Sequence, residues 1–160
     1  MDSNMHSVTS LIDTHAQQQP DAPAFIYREQ TITYLEFKQR SRTVAANLAR
    51  LGIGEGDRVA IWLPDVPAWL EVFFACSELG AIGVAINTRF RSVEVGDILN
   101  RSGAKVLILC PKFRGINFIE VLGQIDAHYL TKIELLVAYN EEDEFYKENI
   151  SNLPVCSYNA

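Results

Sequence analysis

Residues Gly56 to Phe90 read GDRVAIWLPDVPAWLEVFFACSELGAIGVAINTRF, and this stretch decides the fold. The apolar run Arg58 to Leu63 passes through a proline turn, Pro64-Asp65-Val66-Pro67, into a segment that is apolar on most helical faces. Gly80 stops that segment, and a second apolar run follows from Ala81 to Ile86. The order is strand, crossover helix, strand. Neither run alternates with polar residues as a half-wet strand would, so both are expected in a parallel sheet covered on both faces. Asp65 is placed as the helix N-cap and Pro67 in the first turn, where its missing N–H costs nothing. Trp69 and Phe73 lie one helical turn apart, and both are expected to be buried.

Beyond this crossover, Asn87-Thr88-Arg89-Phe90-Arg91 follows the second strand at its C-terminal end, the edge where open α/β sheets bind ligands. It is the most site-like loop in the chain. Asn87, Arg89 and Arg91 are the candidate binding residues: the arginines either meet an anion or pair with carboxylates of the next helix. That helix begins with Ser92 as its cap, carries Val93, Val95, Ile98 and Leu99, and stops at Ser102-Gly103.

Composition bounds the function. With 160 residues, 48% apolar and 21% charged, the chain is long enough for one ordinary α/β domain. Its net charge of −6 argues against a nucleic-acid surface, which needs clustered Lys and Arg. Cys76, Cys110 and Cys156 are far apart and odd in number, so buried free thiols in a reducing cytosol are expected. His6, His15 and His128 lie in unrelated segments and no metal-ligand spacing occurs; no metal is expected. MDSNMHSV has no base before Arg28, and no apolar run approaches the roughly 18 residues a membrane span needs, so a cytoplasmic location is expected. Asn100-Arg101-Ser102 and Asn149-Ile150-Ser151 then match the glycosylation pattern by chance.

Upstream, Val8, Leu11, Ile12 and His15 recur at helical spacing, with Ser7 as a candidate cap. Ala24 to Tyr27 and Thr31 to Thr33 read as a hairpin of open turn type. Thr33 and Glu36 have capping-box spacing, and the helix they open turns Phe37, Val44, Leu48 and Leu51 inward and Lys38, Arg40, Arg42 and Arg50 outward. Gly52, Gly54 and Gly56 follow that helix and precede a strand. This is the wrong order for a phosphate loop, and a left-handed stop at Gly52 with Ile53 as its apolar contact explains them better. Downstream, Lys105 to Cys110 and Ile133 to Ala138 read as further strands, with a helix between them carrying Phe118, Ile119, Val121, Leu122 and Ile125. Glu141 to Glu144 reads as a solvated acidic loop, and Ile150 to Ala160 has no strong period.

Several of these segments, in this order, resemble the N-terminal portion of the AMP-forming acyl-CoA synthetases and related adenylate-forming enzymes. They are Thr33-Tyr34-Leu35-Glu36-Phe37, Gly56 to Ile61, the Pro64-x-x-Pro67-x-Trp69 turn, and Leu79-Gly80-Ala81-Ile82-Gly83-Val84-Ala85-Ile86-Asn87-Thr88-Arg89. The resemblance covers roughly Ser7 to Ala138. It implies a flavodoxin-like α/β fold, a mostly parallel sheet with helices on both faces, with residues 1–160 the N-terminal part of an AMP-binding domain. It implies an acid–thiol ligase that joins a carboxylic acid to ATP with Mg²⁺ and passes the acyl group to coenzyme A. The family's phosphate loop and C-terminal domain have no counterpart in residues 1–160, so no catalytic residue carries over. The chain alone is expected to be inactive, to bind no cofactor tightly and to self-associate through faces meant for the missing part. The alternative from another class is a free-standing, non-catalytic α/β module that binds a partner or small ligand at the sheet's C-terminal edge.

Overall fold

The computed structural model describes residues 8–139 and the backbone of residues 155–157. The chain divides into two compact units. The described residues of the first are 8–55 and 66–81; those of the second are 56–65, 82–139 and 155–157.

The first unit holds helix α1 (Val8–Gln18), the antiparallel hairpin β1 (Pro23–Tyr27) and β2 (Gln30–Thr33), helix α2 (Tyr34–Arg50) and helix α3 (Pro67–Leu79). Arg28, first of the two residues between β1 and β2, has φ 53°, a conformation usually left to glycine. At the start of α2 the capping box forms in full: Glu36 N–H donates to Thr33 Oγ1 at 3.2 Å, and Thr33 N–H donates to Glu36 Oε2 at 2.9 Å. The second bond holds the Glu36 carboxyl below its ordinary 4.5. A depressed folded pKa contributes stability that is complete above the unfolded value and lost as pH falls through the folded one. Glu36→Gln is therefore expected to lower the thermal midpoint at neutral pH and to flatten its acid limb, which a melting series against pH would reveal. An unchanged acid limb would remove Glu36 from the acid response.

The far end of α2 closes as read from sequence. Gly52 takes φ 82°, its N–H donates to Ala49 O at 3.0 Å, and Ile53 N–H reaches Leu48 O at 3.1 Å, both bonds of a Schellman stop. Phe37, Ser41, Val44, Ala45 and Leu48 form the buried face, but Leu51 is exposed. Phe37 sets its ring edge-on to Phe25 and Phe74, and with Ile12 and Ile32 makes the core of this unit.

The basic residues of α2 do not form a plain solvated face. Lys38 Nζ lies 2.7 Å from Asp13, Arg42 lies 3.3 Å from Asp13 and 3.8 Å from Glu78, and Arg40 lies 3.8 Å from Glu71. Three helices are thereby tied by charge as well as by apolar contact. Two expectations for α3 also fail. Asp65 does not cap it: the N-cap is Val66, with no side-chain bond, and Pro67 alone occupies the first turn as expected. Trp69 and Phe73 stack on each other with centroids 5.6 Å apart, yet both are only half-buried, because the inward face belongs to Ala68, Glu71, Val72, Ala75 and Cys76.

The second unit is a sheet of strands β3 (Arg58–Trp62), β4 (Ile82–Ala85), β5 (Val106–Leu109), β8 (Leu135–Ala138) and β9 (Val155–Ser157), in the order β4-β3-β5-β8-β9. Every pairing is parallel. Numbered from β3, this is the flavodoxin order 2-1-3-4-5. Helix α4 (Ser92–Ser102) precedes β5; a short hairpin, β6 (Lys112–Phe113) and β7 (Ile116–Asn117), a short helix α5 (Phe118–Gly123) and a single 3₁₀ turn (Ala127–Leu130) lie between β5 and β8.

One sheet face, carrying Ala60, Trp62, Leu107, Leu109 and Leu136, packs with Val95 and Leu99 of α4 and Phe118, Val121 and Leu122 of α5. The alternate residues Val59, Ile61, Val106 and Ile108 are equally buried, so β3 and β5 are covered on both faces as their unbroken apolar runs require. The second strand of the opening stretch departs from that expectation. β4 ends the sheet, and Ile82 is 52% exposed. Gly96 lets α4 approach its neighbours closely, since a Cβ there would lie 3.0 Å from Ile125 Cγ2 and 3.2 Å from Tyr129 Cδ2. At the other end of α4, the Arg58 guanidinium donates to Ser102 O at 2.9 Å and caps the carbonyls that a helix terminus leaves open.

The β6–β7 hairpin precedes the helix that the sequence places between β5 and β8. Its two-residue turn has φ 48° at Arg114 and 79° at Gly115, the type I′ pattern, and Asn117 then caps α5 by accepting from Ile119 N–H and Glu120 N–H. Strand β9 falls in a tail with no sequence period. The candidate cap Ser7, the acidic run Glu141 to Glu144, the sequon at Asn149 and the side chain of Cys156 lie outside the described residues.

Candidate functional site

The loop of Asn87, Arg89 and Arg91 stands where the sequence places it, directly after β4 at the C-terminal end of the parallel sheet. Its geometry follows from local bonding. Asn87 Oδ1 accepts from Arg89 N–H at 2.9 Å, closing an Asx turn, while Asn87 O accepts from Trp62 Nε1–H at 3.3 Å. The indole is buried in the core, so its bond fixes the loop to the end of β3.

Arg91 does not project as a free cation. Its Nη1 donates to Arg89 O at 2.8 Å and Phe90 O at 3.0 Å, curling the guanidinium onto its own loop. Its backbone N–H donates to Glu94 Oε2 at 3.0 Å. That bond, followed by the carboxylate's bond to its own backbone N–H and by the Arg91 charge, lowers the Glu94 carboxyl below its ordinary value. Glu94 therefore closes the start of α4 from inside the helix. Ser92 is the first helical residue and not the cap, and Val93, read as part of the apolar face, is 78% exposed.

Arg89 is left as the loop's available charge. It is exposed, and among the described residues its guanidinium has no partner. Of the three sequence candidates, Asn87 and Arg91 are committed to building the loop, and Arg89 alone is free to meet a ligand.

Strand order shows what the sequence reading missed. The chain reverses direction between β3 and β5, so the switch-point crevice of this sheet opens between the C-terminal ends of those two strands, one strand away from the predicted loop. Asp65 after β3, and Cys110 and Lys112 after β5, stand at those ends. Cys110 Sγ–H donates to Lys112 O at 3.0 Å, which shapes the turn into β6. No spacing rule in a single sequence points to these residues, because strand order is not written locally. Cys76 has a different character: it is buried, and desolvation pushes its thiol up to about 12, so it stays protonated and unreactive.

A cleft of about 110 Å³ in the first unit is lined by Asp13, Lys38, Ser41, Arg42, Phe74 and Glu78. Its two acids and two bases are largely matched in ion pairs, so it offers no uncompensated charge to a ligand. Among the described residues, no group of three or more His, Cys, Asp or Glu side chains is placed to hold a metal. No described helix is long and apolar enough to cross a membrane.

The model of the AMP-binding enzyme family matches residues 12–154. The chain belongs to this family. The 2-succinylbenzoate–CoA ligase of Oceanobacillus iheyensis is 34% identical to it over 119 residues, which are 74% of this chain and 24% of that enzyme. Among solved structures, a Mycobacterium tuberculosis fatty acyl CoA synthetase matches with a TM-score of 0.74 at 28% identity, over 86% of this chain and 27% of the other. The N-terminal subdomain of Klebsiella oxytoca NpsA matches with a TM-score of 0.61 at 30% identity, over 64% of this chain and 27% of the other. The chain thus spans about a quarter of the length of the curated relatives it matches. The similarity extends across the AMP-binding family's N-terminal region and accounts for the order of the resembling segments from Thr33 to Arg89.

Proposed function

We propose that this chain is the N-terminal part of an AMP-forming acid–thiol ligase. The whole enzyme condenses a carboxylate with ATP to an acyl-adenylate, releasing pyrophosphate, and then transfers the acyl group to the thiol of coenzyme A with release of AMP. The observation that carries the reading is the family match over residues 12–154, together with relatives that are acyl- and aryl-CoA ligases. In this reading residues 1–160 are a scaffold. They build the parallel sheet and hold Arg89 at its C-terminal edge, where an anionic substrate group approaches.

The residues present do not fit a nucleotide by themselves. A triphosphate needs several converging backbone N–H groups and a lysine, usually from a Ser/Thr/Gly-rich loop, and residues 1–160 contain no such loop. The glycines at 52, 54 and 56 serve a helix stop and the turn after it, and Arg91 is spent on its own loop. No chemical step is assigned to this chain. Its role is positional, in a cytoplasmic enzyme whose ATP, Mg²⁺ and coenzyme A are held chiefly by the remainder.

The test is carboxylate-dependent exchange of labelled pyrophosphate into ATP. The purified 160-residue chain is expected to show none with any acid offered. Reproducible exchange above the blank would reveal a nucleotide site within residues 1–160 and overturn the scaffold reading.

A further inference from the structure

The cleft among α1, α2 and α3 carries an inference that does not rest on the ligase reading. Lys38, Ser41 and Arg42, three and four residues apart on α2, present one stripe to it, so the Ser41 side chain enters between two bases. Asp13 of α1 and Glu78 of α3 complete its polar lining, and Ile12 and Phe74 supply an apolar one.

Ser41 is the feature that points to a ligand. It is 4% exposed, and its Oγ has no hydrogen-bond partner. A buried hydroxyl on a helix ordinarily donates to the carbonyl four residues back. Thr14 does so to Ser10 O at 2.8 Å and Thr43 to Gln39 O at 3.0 Å, but Ser41 leaves Phe37 O alone. An unpaired buried hydroxyl costs stability, and one entering the cleft supplies the partner it lacks.

The charges around Ser41 narrow the ligand's chemistry. Lys38 Nζ at 2.7 Å and Arg42 Nη2 at 3.3 Å both meet the same Asp13 oxygen, Oδ1. Arg42 Nε and Glu78 Oε1 are 3.8 Å apart, too far for a hydrogen bond. Charge is balanced, yet donors on Lys38 and Arg42 and acceptors on Asp13 and Glu78 keep bonding capacity. Interleaved donors and acceptors suit a neutral molecule whose hydroxyls each donate and accept, with its carbons against Ile12 and Phe74. Size sets the upper limit. A cavity of about 150 Å³ takes benzene, so the 110 Å³ here admits a molecule of about four to six heavy atoms.

We propose that this cleft binds a small neutral polyol of three-carbon size through Ser41, Asp13 and Arg42. Saturation-transfer NMR on the 160-residue chain tests it, with glycerol as the probe and propan-1-ol, which has the same carbons and one hydroxyl, as the comparison. Ser41→Ala removes the hydroxyl without orphaning another group. Arg42→Met, at a half-exposed position, is the second variant should the first fail to fold.

The expected result is a glycerol signal that rises to a plateau in the millimolar range, weakened at least tenfold in Ser41→Ala and in Arg42→Met, with no plateau for propan-1-ol. Without glycerol, Ser41→Ala is expected to melt no lower than the wild type, because the lost hydroxyl has no partner. A glycerol signal without a plateau, one unchanged in the variants, or equal saturation by propan-1-ol overturns the proposal. So does a Ser41→Ala midpoint several degrees lower, which would show the hydroxyl already bonded. Pyrophosphate exchange reports on the ligase reading separately, so failure of one leaves the other standing.

Discussion

Phe118→Ala is expected to lower the unfolding free energy by about 3 to 5 kcal/mol, a large share of the roughly 5 to 15 kcal/mol that holds a typical domain. Phe118 is 0% exposed and sets its ring edge-on to Trp62 with centroids 4.5 Å apart, at the centre of the core between the sheet and α4 and α5. Truncation loses the transfer free energy and leaves a cavity whose rim is the indole that anchors the candidate loop through Asn87 O. Phe73→Ala is expected to cost less, about 1 to 2 kcal/mol, because that ring is only half-buried, stacked on Trp69 and edge-on to Phe74. Urea midpoints of the two variants compare the positions directly. Equal shifts would contradict the assignment of the core.

The second large effect lies in the first unit. Glu71 is 1% exposed, and Arg40 lies 3.8 Å from its carboxylate. Removing one member of a buried pair takes a partner from a carboxylate in a poorly solvated site, whereas replacing both by apolar groups is often neutral. Arg40→Met is expected to destabilise by about 2 kcal/mol, less than for a fully buried pair because the Arg40 side chain is 41% exposed. The double variant Arg40→Met/Glu71→Leu is expected to recover most of that loss. A double variant less stable than Arg40→Met would mean that Glu71 contributes through its other contacts more than burial of its charge costs.

Features specified by close neighbours in the chain are legible in the sequence, and those specified by distant ones are not. The capping box at Thr33 and Glu36, the stop at Gly52, the buried strand β3 and the crossover order were legible because each is specified by neighbours a few residues apart. Asp65 failed as a cap because the proline turn placed Val66 at the helix boundary instead. The β6–β7 turn uses Arg114-Gly115, which supplies the required φ without the Asn-Gly signature that announces such turns. The one-turn spacing of Trp69 and Phe73 puts them on a shared face, but the face that packs is the one defined by Ala68, Val72, Ala75 and Cys76 with Glu71 among them.

The exposed position of β4 and the reversal between β3 and β5 depend on strand order, which no local pattern encodes. The candidate site shows the same division. Its place after β4 was readable, and so was the supply of arginines. Which arginine is free was not, because Arg91 is consumed by carbonyls of its own loop and by the helix that Glu94 closes.

Sequencing the reading frame beyond codon 160 tests whether residues 1–160 are the front of an acid–thiol ligase. The locus is expected to continue into a Thr/Ser/Gly-rich segment ending in Pro-Lys-Gly, because a triphosphate requires converging N–H groups and a lysine that this sheet does not supply. A stop codon at that point, with no such segment encoded downstream in any frame, would contradict it.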